Sequence, residues 1–145
     1  MKVVVQKVDE ASVKIEEKIV GKISKGLLVF VGFTEGDNEE KIDYFVNKII
    51  NLRIFEDKND IMNLSVKDIG GEILSVSQFT LYGDAIKGNR PSYIKALKSD
   101  SARNLYELFN IKLKEKFNKV ETGIFQTDMK ISLINNGPTT IIIEK

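Results

Sequence analysis

Alternating hydrophobic and polar residues dominate the N-terminal part of the chain. This period of two predicts strands at residues 2–8, 11–15 and 18–24. The turn signal Glu16-Glu17 between the last two predicts a hairpin or a meander. Residues 27–33 are continuously apolar and of strand length, which predicts a buried strand. Gly32 within that strand marks either a bulge or a close approach of two backbones.

The pattern becomes helical after this strand. Asp37 is predicted as the N-cap of a first helix, with Glu40 as its capping-box partner. The apolar residues that follow at helical spacing are Ile42, Phe45, Val46, Ile49 and Ile50. A second helix, capped by Asp100 or Ser101 and ending near Phe117, is predicted to bury Ala102, Leu105, Tyr106, Phe109 and Leu113.

The remaining segments read as strands. They are predicted at residues 75–82, 123–125, 129–134 and 139–143, and residues 135–138 read as a hairpin connection between the last two. The order of strands, helix, strand, helix and strands predicts one α+β domain over residues 1–145. We expect a mainly antiparallel, strongly curved, barrel-like sheet with two principal helices packed on it.

The segment 75–82 is unusually polar for a strand. Alternation places Ser75 and Ser77 on one face and Gln78 and Thr80 on the other. Buried polar groups need partners, so this segment is either a polar site set into a sheet or a half-exposed strand with satisfied hydroxyls. The loop 83–92 that follows carries Lys87 and Arg90, which could meet a phosphate or carboxylate or could simply be solvated.

Composition narrows the chemistry. The chain has no cysteine and no histidine, which excludes disulfides, a thiol nucleophile, a Ser-His-Asp triad and the usual zinc sites. We therefore predict no metal and no cofactor. The net charge of +1 does not give the basic footprint of a protein that holds a long nucleic acid, so no DNA partner is expected. The absence of an apolar run near 18 residues or a signal-like N-terminus predicts an unprocessed, soluble, cytoplasmic protein without a membrane partner.

Two short segments carry a resemblance to a known family. SQFTL at residues 77–81 and NNGPTT at residues 135–140 resemble the paired signatures of the D-aminoacyl-tRNA deacylases. The family has similar sequence at three further segments, GLLVFVG, KIINLRIFED and VETGIFQTDMKISL, so the resemblance covers the whole chain. It implies a homodimer that hydrolyses the ester joining a D-amino acid to the terminal adenosine of tRNA, and that accepts glycine to some extent.

The resemblance also implies a set of site residues. The catalytic residues by match are Ser77, Gln78, Phe79 and Thr80, and the substrate-binding residues are Met129, Asn135, Gly137 and Pro138. In the family the Gly-Pro peptide bond is cis and reaches into the active site of the other subunit, where it excludes an L side chain. The chain departs from the family's usual residues by having Lys7 for Arg, Gly83 for Ala, Asn136 for Asp and Thr139 for Val.

An aminoacyl ester is already activated, so a site without histidine can accelerate its hydrolysis by orientation and by stabilising the oxyanion. The predicted donors are the backbone N–H groups of Phe79 and Thr80 together with the Ser77 and Gln78 side chains. The Thr80 hydroxyl could be a nucleophile only with a base beside it. The resemblance implies an alternative, activation of water by the ribose 2′-hydroxyl of the substrate, which we favour. The alternatives are a non-catalytic dimeric module that binds a nucleotide or small amine, and a structural dimer whose polar strand is a wet interface.

Overall fold

One long N-terminal strand organises the sheet. The structure is a computed structural model that describes residues 1–145. Strand β1 (Lys2–Ile15) pairs antiparallel with β2 (Lys18–Ile23) and β3 (Gly26–Gly32), and Glu16 and Glu17 form the hairpin turn with φ of 46° and 64°. The predicted hairpin is confirmed. The two predicted strands at 2–8 and 11–15 are a single strand, bent where its pairing register shifts between Gln6 and Glu10.

The rest of the sheet is mixed in direction. Strand β6 (Glu72–Ser77) runs parallel to β3, and β7 (Val120–Thr122) runs parallel to β6. Short strands β4 (Phe55–Glu56) and β5 (Met62–Leu64) form a separate pair. Because β2 lies against β6 and β7, the main sheet curls into a nearly closed barrel. The predicted barrel-like α+β fold is confirmed, but within the main sheet the antiparallel description holds only for the pairings of β1.

The helices supply the crossovers that parallel strands require. Helix α1 (Glu39–Ile50) lies between β3 and β6, and α2 (Ser99–Lys116) lies between β6 and β7. The five predicted apolar residues of α1 are buried, as are those of α2 except Leu105, which is partly buried. Neither helix combines the length and the apolar composition that a membrane span needs.

Both predicted helix caps are wrong. Asn38 caps α1, and its side chain accepts from the Lys41 N–H at 3.0 Å. The Asp37 carboxylate instead accepts from the N-terminal ammonium at 2.6 Å and from the Thr34 N–H at 2.9 Å. Helix α2 begins at Ser99, so Asp100 and Ser101 lie in its first turn and neither side chain caps it.

The C-terminal strands also differ from the prediction. The strand predicted at 123–125 lies earlier, as β7. The two predicted at 129–134 and 139–143 are one strand, β8 (Lys130–Glu144), which pairs with β1 along its length. Residues 135–138 are therefore not a hairpin connection. They form an irregular segment inside β8, opposite the bend of β1, where the register of the β1–β8 pair shifts.

The bend of β1 separates two hydrophobic cores. Val3 and Val5, before the bend, pack with α1 and α2 in the larger cluster. Val8, Ala11 and Val13, after the bend, pack inside the barrel with residues of β2, β3 and β6. The shift of register moves the apolar residues of β1 from one face to the other, as a bulge does. The two clusters thus cover the two faces of the sheet along β6.

Lys7 lies at this bend and is buried. Its side chain is 2% exposed, and its Nζ lies 2.5 Å from Oε1 of Glu56 on β4. The hydrogen bond from Lys7 lowers the pKa of the Glu56 carboxyl below its ordinary value. A carboxylate whose pKa is lowered by folding stabilises the folded state above its unfolded pKa, and this contribution is lost as the pH falls.

We expect Glu56→Gln to lower the free energy of unfolding at pH 7, because Lys7 then keeps a buried charge without a charged partner. The deficit should shrink as the pH falls below the ordinary carboxyl value of 4.5, since the wild-type carboxylate is then protonated too. Urea unfolding at pH 7 and at pH 3.5 measures both effects. Glu10→Gln, which removes an exposed carboxylate without an ion pair, is the matched control. A deficit independent of pH would contradict the assignment.

Candidate active site

A cavity of about 430 Å³ opens where the parallel strands β3 and β6 end and helix α2 begins. Its apolar walls include Val31, Val76, Leu97, Ala102, Phe125 and Ile131, and its polar groups come from Ser77, Gln78, Ser99, Gln126 and Thr127. No residue that lines it has a titratable side chain. Such a cavity can bind and orient a ligand, but its walls supply no general acid or base.

The chain turns sharply at the floor of this cavity. Strand β6 ends at Ser77, and a 3-10 helix begins at Phe79 and runs to Tyr82. The Gln78 N–H donates to the Val31 carbonyl at 2.7 Å, which is the last backbone bond that joins this segment to β3. The prediction of one continuous strand over 75–82 is therefore wrong beyond Ser77. A 3-10 turn re-aims the backbone groups that a strand would use for pairing.

Gly32 explains how the turn fits. A Cβ at this position would lie 2.9 Å from the Gln78 carbonyl oxygen and 3.2 Å from Cβ of Leu81. Real Cβ atoms essentially never come within 3.0 Å of a backbone atom. The close backbone approach predicted at Gly32 is thus confirmed, and it occurs against the turn at the cavity.

Two backbone N–H groups are left free by this turn. Phe79 and Thr80 are the first residues of the 3-10 helix, and the first N–H groups of a helix have no acceptor within it. No side chain caps this helix either. The predicted donor pair therefore lies at the start of the turn, next to the Ser77 and Gln78 side chains that line the cavity. Adjacent free N–H groups are the usual components of an oxyanion hole.

Thr80 is exposed, and its hydroxyl has one hydrogen-bond partner within the chain. The Gln78 Nε2 amide donates to Thr80 Oγ1, and no carboxylate, amine or other base accepts the Thr80 proton. An amide N–H is a donor, so it occupies a lone pair of the oxygen without activating it. The geometry fits a positioning role for Thr80 better than a nucleophilic one.

Buried groups behind the turn hold it in place. The Ser75 carbonyl on β6 accepts from the Tyr106 hydroxyl and from the Gly123 N–H, both at 2.9 Å. Burial raises the pKa of the Tyr106 phenol, which therefore stays protonated as a donor. This bond fixes helix α2 to the strand that leads into the turn. Ser75 itself is fully buried and does not line the cavity.

The cavity includes four of the eight site residues implied by the resemblance. Ser77, Gln78, Phe79 and Met129 line it. Phe125, Gln126 and Thr127 also line it but were not predicted as site residues, although they belong to the VETGIFQTDMKISL text that carried part of the resemblance. Ala102 was predicted only as a buried residue of the second helix, and Ser99 was not predicted, because nothing in their own pattern indicates a ligand.

The other substrate-binding residues do not reach this cavity within the chain. Asn135, Gly137 and Pro138 lie inside β8 and none of them lines it. The Gly137–Pro138 peptide bond is cis, Gly137 has a φ of 113°, and both residues are exposed. Asn135 Nδ2 donates to the Lys7 and Thr139 carbonyls, each at 3.0 Å, and so braces the segment against β1. The role of these residues in a site stays a prediction.

No group of three or more His, Cys, Asp or Glu side chains in the structure is placed to hold a metal ion. The carboxylates with lowered pKa, such as Asp57 and Asp68, are held by hydrogen bonds from neighbouring backbone and serine groups in loops away from the cavity. The chemical groups at the cavity are thus backbone amides, hydroxyls and carboxamides. These groups suit the binding of a neutral or amino-bearing ester and the stabilisation of developing negative charge on its carbonyl oxygen.

Known proteins resemble this chain along nearly its whole length. The model of the family described as D-Tyr-tRNA(Tyr) deacylase matches residues 4–144. A D-aminoacyl-tRNA deacylase of Flavobacterium psychrophilum is 61% identical over 145 residues, which cover 99% of this chain and 97% of the relative. A D-aminoacyl-tRNA deacylase of an Exiguobacterium species is 50% identical over 145 residues, covering 100% and 99%.

Solved structures share the fold over the same length. One named c-Myc DNA Unwinding Element Binding Protein aligns with a TM-score of 0.95 and 36% identity, covering 100% of this chain and 99% of that one. A probable eukaryotic D-amino acid tRNA deacylase aligns with a TM-score of 0.85 and 17% identity, covering 98% and 97%, which shows the fold alone. Since the family model and both curated relatives match nearly from end to end, this chain belongs to the D-Tyr-tRNA(Tyr) deacylase family.

Proposed function

We propose that this protein hydrolyses the ester between a D-amino acid and the 3′-terminal adenosine of tRNA. The observation that carries the proposal is the pair of free N–H groups at Phe79 and Thr80, set beside a cavity without titratable side chains. The names of the two curated relatives support the same substrate. The activity would return mischarged tRNA to use, which is a proofreading role, and we place it in the cytoplasm with the pool of charged tRNA.

An aminoacyl ester needs little chemical activation. Water attacks the carbonyl carbon, the C=O electron pair moves to oxygen, and the N–H groups of Phe79 and Thr80 stabilise the oxyanion. When the carbonyl re-forms, the bond to the ribose 3′-oxygen breaks and that oxygen takes up the proton lost by water. One such donor contributes about 2.7 to 4 kcal/mol in known oxyanion holes.

The proton transfer needs a base that the cavity walls do not contain. The ribose 2′-hydroxyl of the substrate lies next to the ester and can relay the proton from water to the departing 3′-oxygen. The Ser77 and Gln78 side chains orient the ester, and Gln78 holds Thr80 in place. In this mechanism the enzyme orients the ester and polarises its carbonyl group, which backbone amides, hydroxyls and carboxamides can do.

We further propose that a second copy of the chain completes the site. Strand β8 pairs only with β1, so its outer edge leaves a row of backbone donors and acceptors unpaired along 15 residues. Ile134 and Ile142 on this strand are 53% and 67% exposed. The exposed Gly137 and Pro138 lie on the same strand, away from their own cavity. A homodimer through this surface would carry them to the cavity of the neighbouring subunit.

In such a dimer, chirality would be selected by shape. The Gly137 and Pro138 backbone would receive the α-amino group and would clash with the side chain of an L-amino acid. Specificity of this kind depends on a repulsive contact against the wrong ligand rather than on contacts to the D side chain. Glycine has no side chain to clash, so Gly-tRNA should be hydrolysed as well.

The proposed activity predicts that the purified protein releases D-tyrosine from D-Tyr-tRNA and leaves L-Tyr-tRNA largely intact. We expect the two kcat/KM values to differ by at least about a hundredfold, as steric rejection commonly gives. Acid-gel or thin-layer assays of the two charged tRNAs measure this. Binding of D-Tyr-tRNA without release of D-tyrosine would support the rival binding module. Equal rates for the two charged tRNAs would contradict selection by chirality.

The positioning role of Thr80 predicts that Thr80→Ala keeps kcat within about tenfold of wild type, the cost of removing one hydrogen bond. Loss of a true nucleophile lowers kcat on the order of a million-fold. A substrate with hydrogen in place of the 2′-hydroxyl should be hydrolysed much more slowly by both proteins. Thr122→Ala on β7 is the matched control. A trapped ester on Thr80, seen by mass spectrometry, would overturn the assignment.

The shared site predicts complementation between two inactive variants. Gly137→Ala would place a Cβ 2.6 Å from Thr139 Oγ1 and distort the segment, whereas Gln78→Ala impairs the cavity. Unfolded and refolded together in equal amounts, they should regain about a quarter of the wild-type activity, because half the dimers are mixed and each has one intact site. Mixed dimers without activity would show that each subunit builds its own site.

A further inference from the structure

An exposed aromatic pair lies at the rim of the cavity. Phe79 and Tyr93 are 57% and 40% exposed, and their ring centroids are 5.2 Å apart with the planes at 65°. Phe79 also lines the cavity, so the pair is continuous with the site. The mechanism uses only the backbone of Phe79 and does not use Tyr93 at all.

The loop that carries Tyr93 is held in a defined position. Asp84 and Ser92 exchange two backbone hydrogen bonds of 2.8 Å and close the loop at its base. After Tyr93, the Thr34 hydroxyl donates to the Lys95 carbonyl at 2.6 Å, and the Leu97 N–H donates to the Phe33 carbonyl at 2.9 Å. We call residues 83–95 the rim loop. Tyr93 is therefore presented on a fixed backbone between two anchors.

The rim loop also carries large apolar groups and free cations. Ile86 and Ile94 are 88% and 89% exposed, the highest values among the large hydrophobic residues of the chain. Lys87 and Arg90 have no carboxylate within 4.0 Å, whereas Lys95 pairs with Asp84 at 3.5 Å. Aromatic rings beside unpaired cations are the combination with which proteins hold single-stranded nucleic acid.

We propose that the rim loop and Phe79 form a docking platform for the single-stranded 3′ end of the substrate tRNA. This inference rests on the proposed function, because an ester bound in the cavity must have the preceding nucleotides leave across the rim. Tyr93 stacks with a base of one of these nucleotides, and Lys87 and Arg90 contact their phosphates. Stacking tolerates any base, and the CCA end is common to all tRNAs, so hydrogen-bond readout is not needed here.

The composition of the chain favours this occupant. With a net charge of +1, the protein as a whole does not attract a polyanion strongly, so affinity must come from a local site. A second copy of the chain is the other occupant that exposed isoleucines could receive. If a second copy docked through the same loop, Lys87 and Arg90 would face the cations of the other rim loop, whose one carboxylate, Asp84, already pairs with Lys95. The two unpaired cations therefore favour an anionic occupant.

The test compares two substrates with the same ester, D-Tyr-tRNA and D-tyrosyl-adenosine. We expect Tyr93→Ser to raise KM for D-Tyr-tRNA about 5- to 150-fold, the effect of removing one stacked base, with kcat unchanged. Kinetics with D-tyrosyl-adenosine should not change, and Tyr93→Phe should behave as wild type. Tyr44→Ser is the matched control, since Tyr44 is also exposed and also packs edge-on against a phenylalanine.

The cations are tested by salt dependence. Lys87→Gln with Arg90→Gln should reduce the slope of log kcat/KM against log salt by about 0.7 for each phosphate that the protein no longer neutralises, with D-Tyr-tRNA only. Lys67→Gln with Lys114→Gln, in the lysine-lined cleft at the far end of α2, should leave the slope unchanged. An equal change in both pairs would mean that only overall charge matters and would overturn the platform.

Two other results would overturn the proposal. Equal loss with both substrates would mean that the rim loop only supports the catalytic turn, and dissociation of a Tyr93→Ser dimer would make the loop a subunit contact. If the wild-type protein hydrolyses neither substrate, the proposed function fails. The docking platform is then tested separately, by measuring the binding of RNA. An RNA hairpin that carries no amino acid and has a single-stranded CCA end should then bind the wild-type protein about 5- to 150-fold more tightly than it binds Tyr93→Ser. Equal affinities would reject the platform.

Discussion

The structure of the site depends on one close backbone contact, between Gly32 at the end of β3 and Gln78 at the end of β6. The Gln78 N–H bonds to the Val31 carbonyl, and the absence of a Cβ at Gly32 leaves room for the Gln78 carbonyl. The chain can then leave the parallel ladder at once and enter a 3-10 turn. If the strand continued, the N–H groups of Phe79 and Thr80 would be available for hydrogen bonds to neighbouring strands instead of to a ligand. The contact thus leaves the N–H groups of Phe79 and Thr80 without partners in the ladder, beside the cavity.

The sequence was informative where structure is set locally. The apolar periods of α1, α2 and β3 fixed their buried faces, and Glu16-Glu17 marked the hairpin, because each depends on residues close in the chain. The parallel pairing of β6 and β7, the merging of two predicted strands into β8 and the turn at Gln78 depend on partners far away in sequence. Periodicity carries no signal for such pairing. The residues of the turn at Gln78 were predicted from the resemblance, whereas Phe125, Gln126 and Thr127 needed the fold to bring them to the cavity.

Three of the four departures from the family's usual residues, Lys7, Asn136 and Thr139, lie around the braced segment of β8. The Lys7 ammonium donates to Glu56, and the carbonyls of Lys7 and Thr139 accept from the Asn135 side chain. Asn136 donates to Asp9 at 2.8 Å, and Thr139 is buried. An ammonium makes a point contact where a guanidinium would make a planar fork, and in this chain it is the Asn135 carboxamide that braces the segment. Gly83 belongs to a different region, where a Cβ would lie 3.0 Å from the Tyr93 ring.

A site without titratable side chains has a particular consequence for specificity. General acids and bases can compensate for a poorly placed substrate, since proton transfer through one water tolerates some displacement. Backbone donors cannot move, so rate depends on how the ester carbonyl is held, and misplacement by about 1 Å costs on the order of a hundredfold. Contacts next to the ester therefore determine the rate, whereas contacts further along the substrate contribute to its binding. A fixed aromatic rim at the mouth of the cavity and a rigid backbone from a second subunit would restrain the substrate from its two ends, the nucleotide and the amino group. In such an arrangement, selection of the D-amino acid would follow from the same restraint that holds the ester, because an L-amino acid would not fit the required pose.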